Sequence, residues 1–122
     1  MAGIENLKIY KIACDLEKEV YEVTKIFPPD EKYRQVDQMR RSSASACDNI
    51  SEGYGKFSFQ SKINCFYIAR GEAEEIRNQI HRAMNKGFIG ENKGKELFDK
   101  YTELIKGING YIKYLKNKKQ DS

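Results

Sequence analysis

Apolar residues recur at alternating intervals of three and four along most of the chain, and polar residues fill the positions between them. This is the heptad spacing of a helix that packs one face in a left-handed bundle. It predicts a first helix from about Glu5 to Phe27, which Pro28-Pro29 ends because proline donates no amide hydrogen and disfavours a helical residue before it. The stripe of this helix consists of Ile9, Ala13, Leu16, Val20, Val23 and Phe27.

Three more stripes predict three more helices. The second helix starts near Asp30 or Glu31, the third spans roughly Phe59 to Lys86 with Ser58 as its N-cap, and Asn92 caps the fourth. Their stripes are, in chain order, Val36, Met39, Ser43, Ala46 and Ile50; Phe59, Ile63, Phe66, Ala69, Ala73, Ile76, Ile80 and Ala83; and Leu97, Tyr101, Leu104, Ile108, Tyr111 and Leu115. The pattern therefore predicts an all-α fold, an antiparallel up-down-up-down four-helix bundle over residues 1–116 with a lysine-rich C-terminal tail at 117–122.

The second helix contains an unusual run of six small residues, Ser42 to Cys47, which lets a neighbouring backbone approach closely. Gly53 and Gly55 then suit a helix C-terminus. Two interpretations of the polar residues around this run remain open. Arg40 and Arg41 could pair with carboxylates and, with an asparagine amide, tie the second helix to the third, or they could line a positive surface that meets phosphate. The candidate partners in the first case are Glu52, Glu75 and Asn49.

Charge is spread unevenly along the 122 residues. The whole chain carries 22 basic and 18 acidic residues, a net charge of +4. The basic excess accumulates toward the C-terminus, where four lysines follow one another with no acid among them: Lys113, Lys116, Lys118 and Lys119. Such a gradient suits a polyanionic partner, although a lysine-rich end is also commonly just a solvated one.

The residues that usually carry catalysis are sparse. A di-metal carboxylate centre in a helical bundle requires Glu-x-x-His pairs, but His81 is the single histidine and residue 78 is asparagine. The cysteines are odd in number and follow no apolar signal segment, so we expect a soluble cytoplasmic protein without a disulfide framework. We accordingly expect no enzyme activity, no cofactor, no metal and no membrane association.

A second set of apolar residues lies off the main stripes, on the first and third helices. Apolar groups on two faces of a helix suggest contacts between subunits, although a wide helical face in a monomer can also bury more than one stripe. We therefore expect a homo-oligomer. The residues of this set are Tyr10, Ile12, Tyr21, Ile26, Tyr67 and Ile68.

The order of residues along the chain resembles a known family, the four-helix-bundle 23S ribosomal RNA intervening-sequence proteins, and is similar to the accessory variability proteins of diversity-generating retroelements. The resemblance rests on Phe27-Pro28, Glu31-x-Tyr33, Gln38-x-Arg40-Arg41-Ser42, Asn49-Ile50-x-Glu52-Gly53 and Phe66-x-Ile68-Ala69-Arg70-Gly71-x-x-Glu74-Glu75. Glu72 departs from the pattern, in which a small residue follows Gly71. The structural motif that the resemblance marks comprises Asn49, Glu52, Gly53, Gly71 and Glu75.

The resemblance implies a homopentamer of four-helix protomers with a basic surface and no enzymatic activity, and it makes RNA, DNA and a reverse transcriptase the candidate partners. The leading hypothesis is a non-enzymatic scaffold or accessory protein that contacts nucleic-acid phosphates. The alternative is an oligomeric module that docks a protein partner. The basic residues expected to meet phosphate are Lys113, Lys116, Lys118, Lys119, Arg40, Arg41, Arg70 and Arg77.

Overall fold

The computed structural model describes residues 3–4 and 7–121. This part of the chain forms four α-helices and no β-strand, which confirms the prediction of an all-α four-helix bundle. The helices are α1 (Lys8–Thr24), α2 (Asp37–Gly55), α3 (Phe59–Asn85) and α4 (Glu91–Asp121).

Neighbouring helices run antiparallel, and α1 also packs against α4, so the bundle is closed. Side-chain contacts fix the register: Cys14 on α1 lies against Cys47 on α2, and Arg77 on α3 reaches Thr102 on α4. The four predicted stripes form the core. Their members are buried, apart from two aromatic residues that pack half-buried against it, Phe59 and Tyr111.

The end of α1 differs from the prediction. The α-helix stops at Thr24, and the amide of Phe27 then donates to the Thr24 carbonyl at 3.2 Å in a tighter turn before Pro28. Phe27 nevertheless stays buried, with its ring 5.5 Å from that of Phe88. The stripe therefore predicted the burial of Phe27 correctly but placed the end of the helix three residues too late. The predicted start of the helix, Glu5, lies outside the described residues.

The connection to α2 is also more complex than a simple helix start. Pro29–Glu31 form one 3₁₀ turn and Lys32–Val36 one π-helical turn, and regular α-helix begins only at Asp37. The predicted N-cap of α3 is confirmed, because the Ser58 hydroxyl accepts from the Ser61 amide at 3.1 Å.

The fourth helix is longer than expected at both ends. It begins at Glu91, an acid that suits the positive end of the helix dipole, so Asn92 lies inside the first turn instead of capping it. At the other end, the segment that the sequence set apart as a tail from residue 117 continues the helix to Asp121. The lysines near the C-terminus are therefore held on a helix.

Gly53 and Gly107 each allow two helices to pack closely. A Cβ at Gly53 would lie 2.9 Å from both the Cβ of Cys65 and a ring carbon of Phe66, so α2 and α3 could not approach this closely with a larger residue. A Cβ at Gly107 would lie 2.8 Å from a methyl of Ile9. These contacts explain why glycine is found inside two helices despite its cost to helix stability.

Candidate nucleic-acid interface

Polar and aromatic side chains bridge α3 and α4 along one partly exposed line, here called the α3–α4 seam. On α3 it extends from Gln60 to His81, about 30 Å at 1.5 Å per residue. The cross-helix contacts follow one another at regular intervals, as expected for antiparallel helices with matched heptads. The members of the seam are Gln60, Tyr67, Arg70, Arg77 and His81 on α3, with Phe98, Thr102, Asn109, Lys116 and Lys119 on α4.

The middle of the seam is a tyrosine ring with two cations close to it. The guanidinium carbon of Arg70 lies 5.0 Å from the centre of the Tyr67 ring, and the Nζ of Lys116 lies 5.3 Å from it. Nη1 of Arg70 also donates to Oδ1 of Asn109 at 2.9 Å. Since a guanidinium has five N–H donors, Arg70 retains donors for a further acceptor.

Arg77 occupies the next position along the seam. Its Nη1 donates to the Thr102 hydroxyl at 3.2 Å, and its guanidinium lies 5.4 Å from the Phe98 ring, which also contacts His81 at 6.4 Å. Its Nε is buried and has no hydrogen-bond partner in the described part of the chain. The guanidinium is thus positioned mainly by an aromatic face and a hydroxyl.

The end of the seam near the C-terminus opens into a groove of about 470 Å³. Lys119 donates there to the amide oxygen of Gln60, while Lys118 lies outside the groove with its Nζ 5.8 Å from the Tyr114 ring. Lys113 is exposed one helical turn before Lys116. The groove is lined by Gln60, Ile63, Tyr67, Lys116, Lys119 and Gln120.

Five cations of this region have no carboxylate partner. They make no ion pair with any residue in the ranges 3–4 and 7–121, and they are Arg70, Arg77, Lys113, Lys116 and Lys118. Glu74, spaced to share the face of the two arginines, pairs with neither. Eight cations elsewhere in these ranges do pair with nearby acids; they are Lys25, Arg41, Lys56, Arg82, Lys93, Lys95, Lys100 and Lys106.

The structure separates Arg40 and Arg41 from the other predicted basic residues. Nε of Arg40 donates to the Thr24 hydroxyl at 2.9 Å, and its guanidinium lies 4.2 Å from the Tyr21 ring, so it fastens α2 to α1. Arg41 pairs with Asp37 of its own helix at 3.5 Å. Of the eight predicted residues, the seam therefore unites Arg70, Arg77, Lys116 and Lys119, with Lys113 and Lys118 nearby on α4.

The first of the two interpretations, in which Arg40 or Arg41 pairs with a glutamate to tie α2 to α3, is wrong. Neither Arg40 nor Arg41 pairs with Glu52 or Glu75. These side chains have local partners instead. Glu75 pairs with Arg82 and Asn49 donates to Ser45, each within its own helix, while Glu52 pairs with Lys56, the residue that follows the end of α2.

Glutamines make the α2–α3 connection instead, and sequence reasoning missed them. Nε2 of Gln35, in the π-helical turn, donates to the backbone carbonyl of Gln79 at 2.8 Å. Gln79 is 1% exposed, and its Nε2 donates to Glu75 at 3.1 Å and weakly to Gln38 at 3.4 Å. Its Oε1 has no partner among the residues described here. The sequence did contain a signal for its burial, because Gln79 follows the stripe residue Ile76 by three positions and so lies close to the buried face of α3.

A shallow groove of about 740 Å³ lies beside this glutamine, here called the α2–α3 groove. The small residues of α2 form much of its α2 side, while the α3 side carries carboxylates. Gly71, one turn along α3, is exposed and meets open space, so it serves no close packing here. The groove is lined by Gln38, Arg41, Ser42, Ala44, Ser45, Asp48, Asn49, Glu72, Glu75 and Gln79.

The opposite side of α4 carries an acidic groove of about 430 Å³, here called the α1–α4 groove, lined by Ile12, Asp15, Leu16, Glu19, Asp99, Lys100 and Glu103. Glu19 accepts from Lys93 at 2.9 Å and from Lys100 at 3.1 Å. Burial disfavours its charged form, but these two lysines outweigh burial and lower the pKa of Glu19 below its ordinary value. Both lysines are thus already bound to a carboxylate.

Neither a metal centre nor a membrane span was found in the part of the chain that the structure describes. No group of three or more histidine, cysteine or acidic side chains there is arranged to hold a metal ion. None of its helices is long and apolar enough to cross a bilayer.

Comparison with known proteins places this arrangement in a family. The model of the 23S rRNA-intervening sequence protein family matches residues 5–110, most of the chain. The chain belongs to this family. A solved structure of a protein of unknown function from the S23 ribosomal protein family of Bacteroides thetaiotaomicron has the same fold, with a TM-score of 0.80 at 22% identity over 86% of this chain and 95% of that one. No curated protein matches the sequence.

Proposed function

We propose that this family member is a non-enzymatic nucleic-acid-binding protein that holds single-stranded RNA or DNA along the α3–α4 seam. The observation that carries the proposal is the set of cations without carboxylate partners beside an aromatic ring. Phosphates can replace the missing acids for Arg70 and Lys116, and Tyr67 offers a ring on which a base can stack. The contacts are to backbone and base faces, so binding does not read sequence.

The geometry suits a single strand better than a groove of a duplex. A stacking base must be unpaired to reach a protein ring, and the seam is a shallow line instead of a projecting helix that could enter a major groove. Its length of about 30 Å is enough to follow several phosphates of one extended strand.

Assembly would multiply this charge. The resemblance to the family implies a homopentamer, and five copies of a chain with a net charge of +4 carry +20 together. Exposed apolar side chains on the predicted second face, Tyr21, Ile26 and Ile68, support contacts between subunits. Native mass spectrometry tests the number, since five copies of 14.2 kDa give about 71 kDa.

The decisive experiment measures affinity for a labelled single-stranded RNA against salt by fluorescence anisotropy. Four phosphate contacts, each with a slope of about 0.7, predict an approximately 50-fold weaker affinity at 200 mM than at 50 mM salt. Affinity that is undetectable at low ionic strength, or that stays flat as salt rises, would overturn the proposal.

A second candidate is a protein-docking module, which the α2–α3 groove supports. The buried Oε1 of Gln79 lacks a donor, and the groove carries Asp48, Glu72 and Glu75 with a small-residue side that a helix can approach closely. A partner segment rich in lysine or arginine fits this chemistry, and the resemblance makes a reverse transcriptase the candidate.

This candidate is tested with a purified reverse transcriptase from a related retroelement, after nuclease treatment of both proteins. Glu72→Lys should abolish capture, because it reverses charge inside the groove. Glu74→Lys makes the same change on the same helix but does not line the groove, so it should leave capture intact. Equal capture by both variants would contradict docking at this groove.

A further inference from the structure

Two cysteines from different helices meet in the bundle. Sγ of Cys14 on α1 lies 2.7 Å from Sγ of Cys47 on α2, and both thiols are free. A disulfide requires an S–S distance of about 2.05 Å, so the sulfurs need to approach by only about 0.65 Å. The third cysteine, Cys65, is buried on α3 beside Gly53 and provides an internal comparison.

The two thiols differ in environment. Cys14 is half-buried, whereas Cys47 is buried. Burial, followed by the neighbouring thiol and two carboxylates nearby, raises the pKa of Cys47 above its ordinary value. Cys14 is therefore the sulfur that an oxidant from solvent reaches first.

We propose that Cys14 and Cys47 are a reversible oxidation site that a peroxide converts to a disulfide joining α1 to α2. Hydrogen peroxide first oxidises Cys14 to a sulfenic acid, as its O–O bond breaks and one oxygen leaves as water. The Cys47 sulfur then attacks the Cys14 sulfur, an S–S bond forms, and the second oxygen leaves as water. Two thiols and one peroxide thus give one disulfide and two waters, and a dithiol reductant reverses the change.

The cross-link would act on stability. It joins residues 33 positions apart and closes a loop that contains the irregular connection between the helices. Closing such a loop restricts the unfolded chain, which should raise the melting temperature by about 10 °C. The α3–α4 seam lies on other helices, so affinity for RNA should be unchanged, and this inference stands apart from the proposed function.

The test treats the folded chain with hydrogen peroxide and measures intact mass, peptide linkage and melting temperature. The unmodified protein and Cys65→Ser should lose about 2 Da, yield a Cys14–Cys47 linked peptide and melt at higher temperature until reduced. Cys14→Ser and Cys47→Ser should show none of these three changes. Oxygen addition to Cys14 without a linked peptide, or a linkage between chains instead, would overturn the proposal, and so would a linked protein with an unchanged melting temperature. Counting reactive thiols in the unmodified folded protein before and after peroxide keeps the test decisive if a serine variant folds poorly.

Discussion

The two sides of α4 treat positive charge in opposite ways. Beside the α1–α4 groove, Lys93 and Lys100 bind the carboxylate of Glu19, so their charge is neutralised within the chain. In the α3–α4 seam, Arg70 and Lys116 lie against the ring of Tyr67, which positions them without removing their charge. The number of lysines on a surface is therefore a poor measure of its attraction for polyanions, and the type of partner beside each cation decides it.

The largest expected effect comes from removing seam charge. Arg70→Gln with Lys116→Gln should weaken binding of single-stranded RNA on the order of 10- to 100-fold at low salt and make the salt dependence shallower by about 1.4, two contacts of about 0.7 each. The matched control is Lys95→Gln with Lys106→Gln, which removes the same charge from lysines paired with Asp99 and Glu103. Similar losses in both double variants, measured by anisotropy, would contradict a localised interface.

A smaller effect should follow from removing the ring. Tyr67→Leu should weaken single-strand binding about fivefold, a loss of about 1 kcal/mol of stacking, with the salt dependence unchanged. Tyr21→Leu is the control, because Tyr21 also lies beneath an arginine, Arg40, but on the α1–α2 side. Duplex RNA, whose bases are paired, should bind both variants like the unmodified chain; a loss with duplex would show that Tyr67 acts only by positioning cations.

The ion pairs of Glu19 beside the α1–α4 groove should contribute to the free energy of unfolding. The pKa of Glu19 is lowered in the fold from an ordinary value of 4.5, so its pairing stabilises the chain above that pH and is lost as pH falls through the lowered value. Glu19→Gln should therefore reduce the free energy of unfolding by about 1 kcal/mol at pH 7 and have little effect near pH 3. Urea titrations at both pH values measure this, and a pH-independent difference would mean that Glu19 contributes by packing.

The smallest expected effect comes from freeing the lysines beside the α1–α4 groove, so that they resemble the unpaired cations of the α3–α4 seam. Glu19→Gln with Glu96→Gln frees Lys93 and Lys100 from their acids, so RNA affinity should rise about two- to threefold at low salt and its salt dependence should steepen. Asp30→Asn with Glu91→Gln is the charge-matched control at exposed positions away from the seam. If both double variants bind equally well, net charge alone governs affinity.

The buried core could be predicted from the sequence because burial follows the three-and-four spacing of apolar residues. A residue such as Ile76 recurs at the bundle period and is found in the core, as predicted. The ends were harder, since they depend on local hydrogen bonds that no periodicity encodes. Phe27 stays buried after its helix has ended, and Lys118 remains helical although no apolar stripe continues beyond Leu115.

The site could be predicted only in part. Sequence identified Arg70 and Lys116 as cations, but whether a cation meets an acid or a ring depends on the facing helix, which spacing within one helix does not reveal. Tyr67 was expected as an off-stripe apolar residue for subunit contacts, and the structure places its ring beside these two cations. Arg40 shows the same limit, because its contacts are with α1 and not with the glutamates of the local motif.

The continuity of α4 to Asp121 has a consequence for how this surface can evolve. Ile112 and Leu115 fix the rotation of the helix about its own axis, and the charged end has no hinge at which to readjust. A single inserted residue upstream would turn the end by about 100° and carry Lys116 away from Tyr67. Insertions in α4 should therefore be tolerated only when the number of inserted residues makes whole helical turns, so that the buried residues and the lysines keep their orientation about the helix axis.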